Sequence, residues 1–210
     1  MRAFHSFVVV ATALAATTAL SACDIGQTEP VEPTRSPAAV ARAPAAETVR
    51  NCRTAVYGKL APSTRKNAVT AGPVSLLAVG GKRPAEVEPS GAVKVLVLIQ
   101  TGETATVVVP EGERERLSLL YDLGPGPKRS LRLSDGTFSA RFNACTTSEE
   151  WTDGKPYPDE HETQFNGAFF VRGAHCAMLE VWVDGQAGPS RLGLGFGIGR
   201  RPCPEESAGS

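Results

Sequence analysis

The sequence predicts an all-β fold, an antiparallel β-sandwich of the immunoglobulin-like or jelly-roll-like kind with about eight strands and two disulfides. Short apolar segments with a two-residue period recur along the chain, whereas segments with a helical period are scarce. Turn residues are abundant, with 21 Gly and 16 Pro among 210 residues. No internal repeat of about 20 to 50 residues is visible, which disfavours a propeller or a solenoid.

The first half of the predicted domain contains four strands and a loop. Residues 73–79 are a short apolar run, and residues 94–99 are continuously apolar and β-branched, as in a strand buried on both faces. Residues 103–109 follow a Thr-Gly turn, so we expect them to form a hairpin with the preceding run. Residues 116–121 are the next strand, and residues 124–128 are a loop because they hold two Gly and two Pro.

Four later segments alternate in the manner of half-buried strands, with one apolar face and one polar or bare face. Met178, Glu180 and Trp182 occupy the polar face of the third segment. The four apolar sets are Phe138, Ala140, Phe142 and Ala144; Phe165, Phe169 and Val171; Ala177, Leu179, Val181 and Val183; and Leu192, Leu194, Phe196 and Ile198.

The N-terminus predicts an exported lipoprotein with a signal peptide over residues 1–22. A basic start precedes an uncharged apolar run over residues 7–20, which is too short for a typical transmembrane helix of about 20 residues. The run ends in Leu-Ser-Ala-Cys, which resembles the bacterial lipobox, where the thiol of the cysteine (here Cys23) receives a diacylglycerol and palmitate is added. Anchoring at the outer face of the cell membrane would follow. The alternative is a plain secretory signal in which Cys23 has no role.

The remaining chain divides into three predicted parts. Residues 23–48 are rich in Pro, Ala, Thr and Glu without apolar periodicity, so we expect a disordered tether between the lipid and the domain. Residues 49–205 form the β-sandwich domain, and residues 206–210 are a C-terminal tail.

The other four cysteines predict two disulfides, because an even number in an exported chain indicates bridges. Three pairings of Cys52, Cys145, Cys176 and Cys203 are possible. Cys145 continues the outward face of its strand and Cys176 shares the outward face of the next, so strand phase favours a Cys145–Cys176 bridge. Cys52 and Cys203 would then join the two ends of the domain. No CxxC occurs, which disfavours a metal or redox centre.

Composition and motifs disfavour nucleic-acid binding and catalysis. The 22 Lys and Arg balance 22 Asp and Glu, so no clustered positive charge favours a nucleic-acid partner. No GxSxG elbow accompanies any serine, and a Ser–His–acid triad would have to use His161 or His175. We therefore expect neither an enzyme nor a cofactor.

Two segments contain metal-ligating residue types. Residues 159–162, Asp-Glu-His-Glu, offer carboxylates and an imidazole, although adjacent loop residues do not converge easily on one ion. Residues 175–178, His-Cys-Ala-Met, hold the soft ligands that copper prefers, but a disulfide at Cys176 would exclude that site. A solvated acidic loop and a strand with a bonded cysteine are the preferred interpretations, which leaves His161 and His175 as weak candidates.

A possible docking surface lies on the segment RLGLGFGIGRRPC, residues 191–203. No helix follows these glycines, so the segment is interpreted as a strand rather than a phosphate loop. Its alternation leaves Gly193, Gly195 and Gly197 on one bare face, which lets another segment or a partner lie close to the backbone. Trp182 is on a polar strand face and, with Trp151 and Tyr157, is a further candidate for a binding surface.

Residues 117–203 resemble a group of lipoproteins from high-GC Gram-positive (actinobacterial) bacteria. The shared pattern is LLYD at residues 119–122, F-x-A-C at 142–145, TQF-x-G-x-F at 163–169 (with alanine at position 168, where the group often has a second glycine), C-x-x-L-x-V at 176–181, and the final Cys203. The resemblance implies export, lipidation and two disulfides, and it implies no activity.

These inferences together predict a lipid-anchored, extracytoplasmic protein that acts as a non-catalytic binding or interaction module. Its partner would be an unidentified protein, glycan or small ligand. A metal-handling lipoprotein for copper or zinc is the alternative, and a cell-envelope hydrolase is a more distant one.

Overall fold

The structure, a computed structural model, describes residues 42–66, 68–77, 92–122, 131–198 and 203. All of them belong to one compact unit, Ala39–Ser210. Within these ranges no helix is long and apolar enough to cross a membrane. The predicted signal peptide, the lipidation site at Cys23, most of the tether, the loop at 124–128 and the C-terminal tail lie outside the described residues.

Short strands are the main regular structure of the described chain, at 47%, which confirms the all-β class, although the strands number fourteen rather than about eight. One short helix, α1, spans Pro62–Arg65, and three single 3₁₀ turns occur. The strands are β1 Thr48–Arg50, β2 Val69–Ala71, β3 Val74–Leu77, β4 Ala92–Lys94, β5 Leu96–Gln100, β6 Thr104–Val108, β7 Leu117–Leu120, β8 Ser139–Asn143, β9 Glu150–Thr152, β10 Lys155–Pro156, β11 Glu162–Phe165, β12 Ala168–Val171, β13 His175–Val183 and β14 Ser190–Phe196.

These strands form three main sheets and one isolated hairpin. The five-stranded sheet has the order β1-β8-β6-β13-β14, the four-stranded sheet β11-β5-β3-β2 and the three-stranded sheet β4-β12-β7, while β9 and β10 pair alone. All pairs are antiparallel except β1 with β8, which run parallel. β1 begins at Thr48, and the Glu47 amide already donates to Ser139 Oγ (3.0 Å), so sheet contacts begin slightly before the predicted end of the tether.

One large hydrophobic core joins the three main sheets, as a sandwich requires, and a small second cluster is formed by Ala92, Leu120 and Ala168. The predicted inward sets of β8 and β13 are buried, and burial alternates strictly along all nine residues of β13. Aromatic rings hold the centre together. Phe142 lies 5.0 Å from Tyr121 and 5.3 Å from Phe165 between ring centroids, and Phe169 lies 6.1 Å from Tyr121.

Two corners carry the chain between the four-stranded and three-stranded sheets. β4 passes into β5 at Val95, and β11 passes into β12 at Gly167. The Val95 amide donates to the Gly167 carbonyl (3.1 Å), so the two corners lie side by side. The segments 94–99 and 165–171, each predicted as one strand, are therefore divided between two sheets. The corner at Gly167 does not interrupt the alternating pattern of buried residues, because Phe165 before it and Phe169 after it are both buried.

The hairpin predicted around the Thr-Gly turn does not form. A turn is present at this position, where the Glu103 amide donates to the Gln100 carbonyl (3.0 Å). However, β5 pairs with β3 and β11, whereas β6 pairs with β8 and β13. The turn at Thr101-Gly102 therefore carries the chain from one face of the sandwich to the other.

The four cysteines form two disulfides as predicted, but the favoured pairing was wrong. The bridges are Cys52–Cys145 and Cys176–Cys203, with Cα–Cα distances of 4.7 and 5.4 Å. β8 ends at Asn143, so the outward phase does not continue to Cys145, which turns into the core and is 2% exposed. Cys176 does face outward, and it meets Cys203 there.

The end of β14 also departs from the predicted alternation. Leu192, Leu194 and Phe196 are buried as expected. At Gly197 the backbone has φ +64°, a left-handed conformation that ends the strand. Ile198 consequently folds back over the bare side of β14, where a Cβ built on Gly195 would lie 3.0 Å from its Cδ1 atom.

Candidate functional site

The candidate site is a groove of about 570 Å³ at one end of the sandwich, called here the aromatic groove. It is assembled from the turn after β5, the segment after β8, the β9–β10 hairpin and the loop before β11. Its walls combine aromatic rings, prolines, hydroxyls and charged groups. The lining residues are Thr101, Thr146, Thr147, Trp151, Lys155, Pro156, Tyr157, Pro158, Asp159 and Glu160.

A buried disulfide holds the base of the groove. Cys52, in a 3₁₀ turn, is bonded to Cys145, and both are almost fully buried. The Cys145 amide donates to Thr163 Oγ1 (2.8 Å), which links the same point to β11. Thr146 and Thr147 follow immediately, so this crosslink fixes the start of the groove wall.

A tight turn shapes the next part of the wall. Asp153 and Gly154 have φ +55° and +71°, and Thr152 pairs with Lys155 across them. Positive φ at both central residues is the type I′ geometry that Asp-Gly favours. This turn places Trp151 at the end of one arm and Lys155 at the start of the other. The Asp-Gly pair is a strong local hairpin signal that the sequence analysis missed.

Three aromatic rings meet edge to face beside the groove. Trp151 and Tyr157 have centroids 5.4 Å apart at 77°. Tyr57 lies 6.5 Å from Trp151 and 6.1 Å from Tyr157, with interplanar angles of 71° and 89°. Such T-shaped contacts are favourable because each ring presents a positive edge to a negative face. Tyr57 is 42% exposed, so the cluster reaches the surface.

The polar ends of the two groove-lining rings point into the protein. Trp151 Nε1 donates to the Ala55 carbonyl (2.9 Å). The Tyr157 hydroxyl donates to the Val56 carbonyl (2.7 Å) and accepts from the Gln164 amide (2.9 Å). Burial raises the pKa of Tyr157 to about 12, so this phenol is neutral at physiological pH. These bonds fix both rings and leave part of the hydrocarbon surface of the half-buried Trp151 to line the groove, while Tyr157 is 6% exposed and packs behind it.

The rim of the groove carries both signs of charge. Asp159 Oδ1 accepts from the amides of His161 (2.9 Å) and Glu162 (3.3 Å), which orders the loop. Glu162 itself forms a two-point ion pair with Arg65 (2.8 and 2.6 Å). The segment predicted as an acidic loop is therefore structured by its own carboxylates, and two of them are engaged within the protein.

Thr101 contributes an unsatisfied hydroxyl at the groove wall. Its Oγ1 atom is buried and has no hydrogen-bond partner among the described residues. Leaving a buried polar atom without a partner costs about 1–3 kcal/mol. Rotation of the Thr101 side chain about χ1 would move this hydroxyl away from the buried position in which it has no partner.

The structure does not bring the two candidate histidines together. His161 precedes β11 of the four-stranded sheet, whereas His175 opens β13 of the five-stranded sheet. His175 Nδ1 lies 3.2 Å from the Gly173 carbonyl, and Nε2 lies 3.6 Å from Glu113 Oε2. Across the described ranges, no three His, Cys, Asp or Glu side chains are grouped to hold a metal ion. The disulfide at Cys176 excludes the copper arrangement considered from the sequence.

The glycine face of β14 is occupied by the chain itself. A Cβ built on Gly193 would lie 3.5 Å from both Cys203 Cβ and Met178 Sδ, and one on Gly195 would lie 3.5 Å from Cys203 Sγ. The bare face thus accommodates the second disulfide. Docking of a partner on this face of β14 stays a prediction.

Trp182 lies apart from the aromatic groove. It lines a separate groove of about 420 Å³ together with Arg141 and Asp184, which pair at 2.6 Å. Of the three aromatic residues singled out from the sequence, the structure therefore unites Trp151 with Tyr157 and separates Trp182. It adds Tyr57, which no periodic pattern marks because its segment belongs to none of the named strands.

Comparison of the chain with models of protein families, with curated proteins and with solved structures finds no match.

Proposed function

We propose that this protein is a lipid-anchored, extracytoplasmic binding module without catalytic activity, and that its ligand occupies the aromatic groove. The observation that carries the proposal is the arrangement of Trp151 and Tyr157. Both rings are fixed by inward hydrogen bonds at their polar ends, and the buried Tyr157 supports the half-buried Trp151, so Trp151 offers a rigid hydrocarbon surface at little cost in conformational entropy. Polar and charged groups surround that surface, as in sites where a few polar contacts orient a ligand on an apolar wall.

The location is supported by the N-terminal sequence. A basic start, a short apolar run and the Leu-Ser-Ala-Cys segment ending at Cys23 are typical of bacterial lipoproteins. Two disulfides agree with an oxidising compartment outside the cytoplasm. A Pro-rich tether would let the binding domain stand away from the membrane surface.

Single-tryptophan fluorescence tests the proposal. The chain holds two tryptophans, so Trp182→Phe leaves Trp151 as the only indole reporter. The probes are chitotetraose, cellotetraose, a ten-residue proline peptide, ATP and zinc chloride. We expect a saturable change in emission with at least one organic probe, because a ligand in the groove would contact the Trp151 ring.

The reciprocal variant Trp151→Phe, in which only Trp182 emits, is the matched control and should show no such change. A flat response of Trp151 to every probe would overturn the proposal. Stoichiometric zinc binding with no response to the organic probes would also overturn it, and would favour the metal-handling alternative.

A further inference from the structure

We propose that the ligand of the aromatic groove is an oligosaccharide of equatorially substituted pyranose rings that carry N-acetyl groups. The inference rests on the proposed function and assigns a chemical class to the ligand. It follows from three properties of the groove: the walls, the rim and the balance of charge.

The walls match the apolar face of a pyranose ring. When the hydroxyls of a pyranose are equatorial, its axial C–H bonds form a flat face with partial positive charge. Aromatic faces carry negative charge density and attract such C–H groups. Trp151 is half-buried with its indole N–H turned inward, so part of its hydrocarbon surface lines the groove. Tyr157 is only 6% exposed and packs against Trp151 at 77°, so it supports that ring from behind.

The rim matches the hydroxyl edge of a sugar. Each sugar hydroxyl both donates and accepts, so it needs donors and acceptors nearby. Thr146 and Thr147 supply hydroxyls, Lys155 supplies an ammonium donor, and Asp159 and Glu160 supply carboxylate acceptors. The unsatisfied Thr101 hydroxyl at the same wall gains a partner if it rotates toward a bound sugar.

The balance of charge disfavours the other ligand classes. One lysine against two carboxylates at the rim does not suit a phosphorylated ligand, which needs clustered cations. A purely hydrocarbon ligand would remove the charged rim groups Lys155 and Glu160 from water without offering them partners. A proline-rich peptide fits the rings but has no N–H at its prolines, so it leaves the carboxylates without donors.

An N-acetyl group improves the match further. Its amide N–H suits a rim carboxylate of Asp159 or Glu160, and its carbonyl suits the Lys155 ammonium. Both bonds have an ionised partner, and the amide carbonyl is a better acceptor for the ammonium than a hydroxyl oxygen is. An N-acetylated sugar is therefore expected to bind more tightly than its unsubstituted counterpart.

Isothermal titration calorimetry with chitotetraose tests the inference, with cellotetraose as the unacetylated comparison and a ten-residue proline peptide as the rival. Chitotetraose should bind the purified protein, and more tightly than cellotetraose. Trp151→Ala and Lys155→Met should each weaken its binding about tenfold. Lys155 is exposed, and its replacement by Met keeps the aliphatic part of the side chain, so this variant should stay folded. It therefore tests the inference even if Trp151→Ala fails to fold. Lys94→Met, an exposed lysine on β4 that does not line the groove, should change affinity less than about twofold.

Binding of the proline peptide without binding of chitotetraose would overturn the sugar assignment while the binding module stands. Failure of both ligands would also overturn the assignment, and the Trp151 emission panel then decides whether the groove binds anything. Chitotetraose binding that neither Trp151→Ala nor Lys155→Met weakens would place the sugar elsewhere and contradict the inference.

Discussion

Gly167 and Tyr121 make one of the closest contacts in the fold, at the corner between two sheets. A Cβ built on Gly167 would lie 2.2 Å from Cδ1 and Cε1 of Tyr121. The Tyr121 hydroxyl donates to the Val95 carbonyl (3.0 Å), and its ring packs edge to face against Phe142 and Phe169. The ring therefore has no free direction in which to move, and only glycine fits beneath it.

Gly167→Ala is accordingly expected to destabilise the protein strongly. Overpacking against a fixed ring should lower the free energy of unfolding by about 3 kcal/mol, at the upper end of the usual range. Urea unfolding followed by far-ultraviolet circular dichroism measures this loss. Gly112→Ala is the matched control, because a Cβ there meets nothing within 4 Å. Equal stability of the two variants would contradict the packing described at this corner.

Two buried tyrosines predict a loss of stability at alkaline pH. Burial raises the pKa of Tyr157 to about 12 from the ordinary 10.0, and it raises the pKa of Tyr121 well above its usual range. Above pH 10 the unfolded chain releases these protons while the folded protein keeps them. The free energy of unfolding should therefore fall as pH rises from 10 toward 12.

Urea unfolding midpoints at pH 9, 10 and 11 measure this fall. Tyr157→Phe should reduce it, since one of the two late-titrating phenols is removed. Tyr57→Phe should leave it in place, because both buried phenols remain. A stability that is constant over this interval in the unsubstituted protein would contradict the assigned burial of the two hydroxyls.

Individual site residues were only partly visible in the sequence. Trp151 and Tyr157 were candidates only as aromatic residues grouped with Trp182, whose polar strand face suggested a binding surface. Tyr57 was missed, since its contacts to those rings depend on the Cys52–Cys145 bridge bringing distant segments together. Cys145 was placed on the wrong face because two-residue periodicity ends with the strand.

At the scale of elements, the sequence predicted which face of a strand is buried better than which strand it pairs with. Alternation records the local direction of side chains, so the inward sets of β8 and β13 were identified correctly. Pairing depends on contacts with remote strands, which alternation does not encode. The turn at Thr101 and the corner at Gly167 both switch the chain between sheets without disturbing the pattern of burial.

The two disulfides should contribute unequally to stability. They close loops with sequence separations of 93 and 27 residues. The chain-entropy model assigns about 4.5 and about 3.5 kcal/mol to loops of these lengths. The longer bridge is also buried in the core, so Cys52→Ala combined with Cys145→Ala removes packing as well.

Urea unfolding of the two double variants tests this order. The variant without Cys52 and Cys145 should be the less stable by at least about 1 kcal/mol. The variant without Cys176 and Cys203 is the matched control, because it also lacks one bridge and has no free thiol between the pair. A reversed order would contradict the structural role given to the Cys52–Cys145 bridge.

At the scale of the whole molecule, the N-terminal lipid anchor is expected to determine location. When the full chain is expressed in a bacterium that processes lipoproteins, labelled palmitate should enter the protein, which should then sediment with membranes. Cys23→Ser should abolish the label and release the chain, because the thiol is the proposed attachment point. Cys203→Ser is the matched control and should keep the label. Labelled Cys23→Ser protein would contradict lipid attachment at this residue.

The fold class and the two bridges could be predicted from the sequence because composition, alternation and cysteine number are properties of the chain as a whole. The candidate site could not be predicted in the same way. Nine of its ten lining residues lie within residues 146–160, but Thr101 joins them only through the tertiary fold. The base of the groove also depends on a disulfide pairing that strand phase did not identify.

The proposed binding of a sugar in the aromatic groove is tested most directly by ¹H–¹⁵N correlation NMR of the ¹⁵N-labelled protein. The two tryptophans give two indole N–H signals, one from Trp151 in the groove and one from Trp182 outside it. Titration with chitotetraose should shift the Trp151 indole signal and the backbone amides of Thr146, Thr147 and Lys155, and leave the Trp182 indole signal in place. Shifts confined to Trp182 and the glycine face of β14, or no shifts at all, would contradict it.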